Sequence, residues 1–134
     1  MRRSIKATLV AVIAAICMAP LGLRPATAAS SPPPSRLLVT GREYSLTLSR
    51  ARINPGDAIF QFLNSGEDPH DLVLKRFGST RTLGAGQTAP GDVAQFDARL
   101  SRGQHYVLFC SLADHRALGM KAFLAVRRHR RPAG

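Results

Sequence analysis

Between residues 37 and 127 apolar side chains recur mainly at every second position, in short runs separated by turn residues. Leu37-Leu38-Val39-Thr40 is a brief β-prone run. Tyr44, Leu46 and Leu48 alternate with Ser45, Thr47 and Ser49, the period of a half-buried strand. Asn54-Pro55-Gly56-Asp57 predicts a turn, because Pro55 presets φ and Gly56 tolerates positive φ. A strand follows over Ala58–Leu63, with Ala58, Phe60 and Phe62 on one face. Another is expected from His70 to Phe77, where Leu72 and Leu74 oppose Val73. Gly78 to Asp92 is rich in Gly, Thr and Pro and predicts a loop. Val93–Leu100 predicts a strand whose core face carries Ala94, Phe96, Ala98 and Leu100, and the chain turns at Leu100–Gly103. Tyr106, Leu108 and Cys110 then alternate with Val107 and Phe109, and a last strand is expected over about Lys121–Arg127. Ala113–Gly119 is long enough for one helical turn and no more. Strand-length runs without a long helical pattern predict an all-β sandwich or barrel, and about 90 residues suffice for one core between two sheets.

The two ends follow other patterns. Residues 1–28 have the form of a secretory signal peptide: a positive start (Arg2, Arg3, Lys6), an apolar run from Ala7 to Leu23, and Ala26-Thr27-Ala28 as a small-x-small cleavage signal. The expected location is exported, periplasmic or extracellular, with membrane anchoring if the leader is not removed. Residues 29–36 (Ala-Ser-Ser-Pro-Pro-Pro-Ser-Arg) predict an extended linker. Residues 37–127 form the domain, and residues 128–134 a basic tail. Cleavage after Ala28 removes four cations and no acid, lowering the formal charge from +11 to +7. Export makes nucleic acid an unsuitable partner for the remaining cations. An acidic protein or anionic lipid suits them better, and a merely solvated tail is the plainer alternative. Cleavage also removes Cys17, so Cys110 has no intramolecular disulfide partner and must be buried, paired with another chain, or used.

A use is visible in its neighbours. Cys110, His115 and Met120 are spaced with four residues in each gap, and His70 lies upstream. Two imidazoles, a thiolate and a weak thioether are the ligand set of a mononuclear electron-transfer copper site. Cu(I) favours soft sulfur and Cu(II) favours nitrogen, so a trigonal N₂S set with a long Met bond serves both states. Taken singly, each residue has a plainer role: a solvated loop His, a core Met, a buried thiol. The coincidence of all four on an exported β-rich domain is what points to metal. His105 and His129 are expected not to bind it. Zinc could use the same imidazoles and thiolate, but Met favours copper. A Cys110–His115 nucleophilic pair oriented by Asp114 is the enzymatic alternative. It lacks other polar groups to build a substrate cleft, so no enzyme is expected. Four His are too few for a copper oxidase, and a single Cys in the ligand loop excludes a binuclear copper loop.

From about Tyr44 to Val126 the chain resembles the cupredoxin (blue, type 1 copper) family, plastocyanin- and azurin-like proteins. The resemblance rests on four segments: the 54–57 turn before the Phe60/Phe62 strand; Asn64-Ser-Gly-Glu-Asp-Pro-His70-Asp71; the strand Gly103–Cys110 with Tyr106; and Gly119-Met120 before a closing strand. The four-plus-four ligand loop is closer to the rusticyanin and bacterial azurin-like branches than to plastocyanin. The resemblance implies a Greek-key β-sandwich with the metal site at one pole, holding one copper ion on His70, Cys110, His115 and Met120. It implies that Asp71 stitches the two ligand loops together and that its backbone N–H donates to the Cys110 sulfur. The expected function is one-electron transfer between redox partners; copper storage, buffering or delivery is the alternative. Leu112, Ala113, Ala117 and Leu118 around His115 are the expected docking patch, with Arg116 and Lys121 favouring an acidic partner. A monomer is expected, with membrane association only through an uncleaved leader or the basic tail.

Overall fold

The computed structural model describes residues 31–130. The expected signal peptide, the first two linker residues and residues 131–134 of the tail lie outside the described residues.

Among the described residues nine strands follow one another: β1 (Ser35–Arg42), β2 (Ser45–Leu48), β3 (Arg52–Ile53), β4 (Gly56–Asn64), β5 (His70–Arg76), β6 (Thr82–Thr88), β7 (Val93–Leu100), β8 (His105–Phe109) and β9 (Lys121–Val126). They form a sandwich of two sheets, ordered β2-β1-β4-β7 and β3-β9-β8-β5-β6. Pairing is antiparallel except for β1 with β4 and β3 with β9. Among the described residues there is no α-helix, and none of their elements is an apolar helix able to cross a membrane.

Period-two alternation places the core as expected. Phe60 and Phe62 of β4 are fully buried, as are Leu37 and Val39 of β1, and they meet Leu72, Leu108 and Leu124 of the opposite sheet. Each such side chain contributes about 1.5–3 kcal/mol relative to exposure. Phe60 also stacks on Phe96 of β7, centroids 5.0 Å apart. Gly56 enters β4 at φ +102°, a conformation that the turn needs and that L side chains resist. At the end of the sandwich where β8 begins, the Tyr106 hydroxyl accepts the Ser101 N–H at 2.9 Å and pins the turn before that strand.

Three expectations change. The predicted loop over Gly78–Asp92 contains the edge strand β6, which pairs with β5 across a register shift between His70 and Leu72. Six of its seven residues are exposed or half-buried, so main-chain pairing, not side-chain burial, makes it a strand. β1 begins at Ser35, two residues before the apolar run, because its main chain pairs with β4 from Ala58 onward. Tyr44 does not join the buried face of Leu46: it lies before β2 and is 40 % exposed. The Ala113–Gly119 segment forms a chain of turns, with one i to i+4 bond from Leu118 N–H to Asp114 O at 3.0 Å.

Candidate metal centre

The connection between β8 and β9 lies at one end of the sandwich. β8 ends at Phe109 and delivers Cys110; the turn chain 112–119 carries His115; Met120 precedes β9. The loop is closed by its own main chain. Cys110 N–H donates to Met120 O at 3.1 Å, and Met120 N–H donates to His115 O at 2.9 Å. These bonds fix the loop so that its two sulfur residues face the interior, where both are fully buried. His70 opens β5 in the same sheet and is also fully buried.

The donor atoms converge. His70 Nδ1 and His115 Nδ1 are 3.1 Å apart, Cys110 Sγ is 3.6 Å from His115 Nδ1 and 4.0 Å from His70 Nδ1. For bonds of about 2.0 Å to nitrogen and about 2.3 Å to sulfur, donors sharing one ion in a plane stand roughly 3.5 Å (N to N) and 3.7 Å (N to S) apart. The observed triangle therefore fits a single metal ion. Protonation supports the same reading. Glu43 Oε1 lies 3.0 Å from His70 Nε2. With the proton held on Nε2 by that carboxylate, Nδ1 presents a bare lone pair to the cluster. The 3.1 Å contact between the two Nδ1 atoms is satisfied by a proton on His115 Nδ1 or by a cation that both rings share.

Glu43 was not among the sequence candidates. Its carboxylate also accepts the Glu67 and Asp68 N–H groups at 2.7 and 2.8 Å. These bonds, with the His70 contact, hold its pKa down at about 2 from an ordinary 4.5. Gly66 makes room for it, since a Cβ there would overlap the carboxylate. The loop in front of His70 is further held by Asn64, which is fully buried. Its amide donates to Asp68 O at 2.8 Å and Thr88 O at 2.9 Å, and its carbonyl accepts the Gly66 N–H at 3.0 Å. Asn64→Ala leaves these groups unpaired and should cost about 2–3 kcal/mol, read as a lower denaturant midpoint.

Asp71 joins the two halves of the site. Its carboxylate accepts the Ser111 N–H at 2.6 Å and the Ser111 hydroxyl. Burial pushes the Cys110 thiol up, whereas the backbone N–H groups of Asp71 and Leu112 face the sulfur and favour the thiolate. Met120 fits against Gly41 of β1. A Cβ at residue 41 would stand 2.6 Å from the Phe62 ring and 3.2 Å from the Met120 methyl. Gly41→Ala should therefore destabilise the domain by about 1–3 kcal/mol and displace the thioether, checked by thermal unfolding with and without copper.

The surface over the cluster is set by His115, which is half-buried and meets the Tyr44 ring edge-on, centroids 5.0 Å apart. Ala113, Ala117 and Leu118 are exposed beside it, Leu118 by 51 %, whereas Leu112 turns inward and packs against the core. The Arg116 guanidinium lies over the Phe109 ring at 4.0 Å. His105 lies at the opposite end of β8 and His129 beyond β9, so neither approaches the cluster. Among the described residues, the His70–Cys110–His115 group is the one cluster of His, Cys or acid side chains with metal-binding spacing.

No protein-family model matches the chain, and no curated protein matches it significantly. Solved structures do match its fold. A reduced auracyanin from the photosynthetic bacterium Roseiflexus castenholzii superposes with a TM-score of 0.58 at 16% identity, covering 69% of this chain and 96% of that one. Auracyanin B gives 0.59 at 16% identity over 72% and 91%. Reduced rusticyanin gives 0.58 at 16% identity over 73% and 82%.

Proposed function

From a chain with the cupredoxin fold and a converged His₂Cys cluster beside a buried Met, we propose a type 1 copper protein that carries single electrons between partners. His70, Cys110 and His115 would hold the ion, with Met120 beside them as a weak thioether donor. Copper, when bound, supplies the Cu(I)/Cu(II) couple. The chain's own residues supply rigidity: the Asp71–Ser111 bridge and the 110–120 main-chain bonds keep the donors in place through a change of metal charge.

One observation carries the choice of carrier over store. His70, Cys110 and Met120 are fully buried and only His115 reaches the surface. A metal so enclosed exchanges slowly with solution, yet the His115 ring gives electrons a short path out. The patch of Tyr44, Ala113, Ala117 and Leu118 around that ring suits a small, weak redox interface. Arg116 and Lys121 attract acidic groups locally, but Glu67, Asp68 and Asp114 share that end, so contact there is apolar and short-range more than steered. An exported location would suit a lone buried thiol and a leader-like N-terminus.

The test is to load the purified protein with Cu(II), then record visible absorption, electron spin resonance and cyclic voltammetry. An intense thiolate-to-copper band, narrow hyperfine splitting and a fast reversible couple are expected. Rapid loss of copper to a mild chelator without a reversible couple would instead mark a copper store. Leu118→Glu should leave the spectrum unchanged and slow electron transfer to an external protein partner about tenfold or more, through a charge placed in an apolar contact.

A further inference from the structure

Charge is segregated along the strand axis. Six of the eight carboxylates stand at the end that holds the donor cluster or on the connections around it; Asp57 and Asp97, paired with residues of the lower half of β4 and β7, are the exceptions. Among the described cations only Arg42, Arg116 and Lys121 stand at that end. The others gather toward the opposite end, where β3, the start of β8 and the end of β9 meet. Two adjoining grooves lie there. One is lined by Arg50, Arg52, His105, Phe123 and Arg127, and its neighbour adds Arg128 and His129. Neither lining contains a carboxylate among the described residues.

Beside these grooves are two aromatic side chains that the core does not use. Phe123 is 60 % exposed and Phe77 is 55 % exposed, with ring centroids 6.1 Å apart. They share the outer face of the five-stranded sheet. Two cations at this end are tied to the main chain: Arg127 donates to Arg52 O at 3.1 Å, and Arg130 donates to Pro55 O at 3.1 Å and to Pro33 O.

We propose that this basic, phenylalanine-bearing end docks on an anionic phospholipid surface. Cations attract the phosphates, and exposed aromatic rings enter the headgroup region. Two features favour a bilayer over one acidic protein. The cations spread around the whole end of the sandwich, from Arg36 on one sheet to Arg128 beside the other, with Arg99 alone among the described residues matched by a carboxylate, that of Asp57 at 2.9 Å; this spread matches a plane and needs no shape-complementary patch. The acidic end is repelled by the same surface. The molecule would therefore rest on its basic end, tilted so that the outer face of the five-stranded sheet with Phe77 and Phe123 meets the headgroups, and with His115 facing away from the lipid, free for a second partner. This orientation depends on charge and aromatic exposure alone and holds whether or not the site carries copper.

The experiment is vesicle co-sedimentation of protein purified from cells expressing the full sequence. Phosphatidylcholine vesicles with about a third phosphatidylglycerol are compared with pure phosphatidylcholine, so that any apolar insertion by the N-terminal segment is common to both. Binding to the anionic vesicles should exceed neutral binding by about tenfold or more, and the excess should vanish in about 1 M NaCl, where the Debye length is near 3 Å. Each cation near such a surface is worth about fivefold in binding. Arg50→Glu with Arg128→Glu should therefore remove most of the excess, and Phe123→Ser part of it. Arg42→Glu, at the other end, should leave it unchanged. Equal binding to both vesicles would overturn the proposal. So would an anionic excess that survives the double reversal, or capture by heparin or DNA without vesicle binding.

Discussion

Cys110→Ser should abolish the blue charge-transfer band of the copper-loaded protein completely while leaving the fold intact. The sulfur is fully buried, it stands 3.6 and 4.0 Å from the two imidazole Nδ1 atoms, and two backbone N–H groups face it. A hydroxyl fills nearly the same volume and can accept those N–H groups, so the cost to stability is about 1–2 kcal/mol. It is not a thiolate, however, and cannot donate the soft, polarisable electron density from which such a band arises. Copper remaining on the two imidazoles should show the broad hyperfine splitting of an ordinary nitrogen–oxygen site. Met120→Leu provides the contrast. It keeps the thiolate and both imidazoles, so the colour should persist while the reduction potential rises with the loss of a donor that stabilises the oxidised ion. Retention of the same spectrum by the serine variant would remove Cys110 from the site and with it the copper assignment.

Glu43 is the second place where a single change should have a large effect. Its carboxylate accepts three N–H groups at once, from Glu67, Asp68 and the His70 ring. It therefore sets both the position of the His70 loop and the tautomer that bares Nδ1. Glu43→Gln keeps the shape but removes the negative charge behind the imidazole. The reduced ion then loses less than the oxidised one, so the potential should rise. Glu43→Ala also frees the loop, and copper affinity should fall by about 10–100-fold, the usual range when the partner of a metal-bound His is lost. Competition titration against a chelator of known affinity checks the alanine variant, and voltammetry checks the glutamine variant. If both variants matched the parent protein in affinity and potential, Glu43 would be a loop anchor and nothing more.

The contrast between Cys110 and Glu43 shows what was legible in the chain. The donors were visible because their chemistry resides in residue type and order: His70, Cys110, His115 and Met120 are rare residues at informative spacing. The main strands were visible because burial on one face imposes a period of two, as along Ala58, Phe60 and Phe62. Glu43 was not visible, because it is 27 residues from His70 and becomes its neighbour only when β1 pairs alongside β4. Nothing local distinguishes it from a solvated acid.

The same reason accounts for the other differences. β6, Thr82-Leu-Gly-Ala-Gly-Gln-Thr88, carries no alternating apolar face, because an edge strand can be held by main-chain bonds to β5 alone. Leu112 resembles its neighbours Ala113 and Leu118 in the sequence, yet the turn chain packs it, partly buried, against the core and leaves them exposed. The excess of cations belongs to the sequence, but among the described residues the placing of most acids at one end and most cations at the other arises from strand direction, which composition does not contain. The sequence by itself determined which atoms could bind metal and which faces would be buried, since both depend on residue identity and short-range period. The tertiary structure decided which distant groups those atoms meet, because such meetings depend on how the strands are ordered in the two sheets.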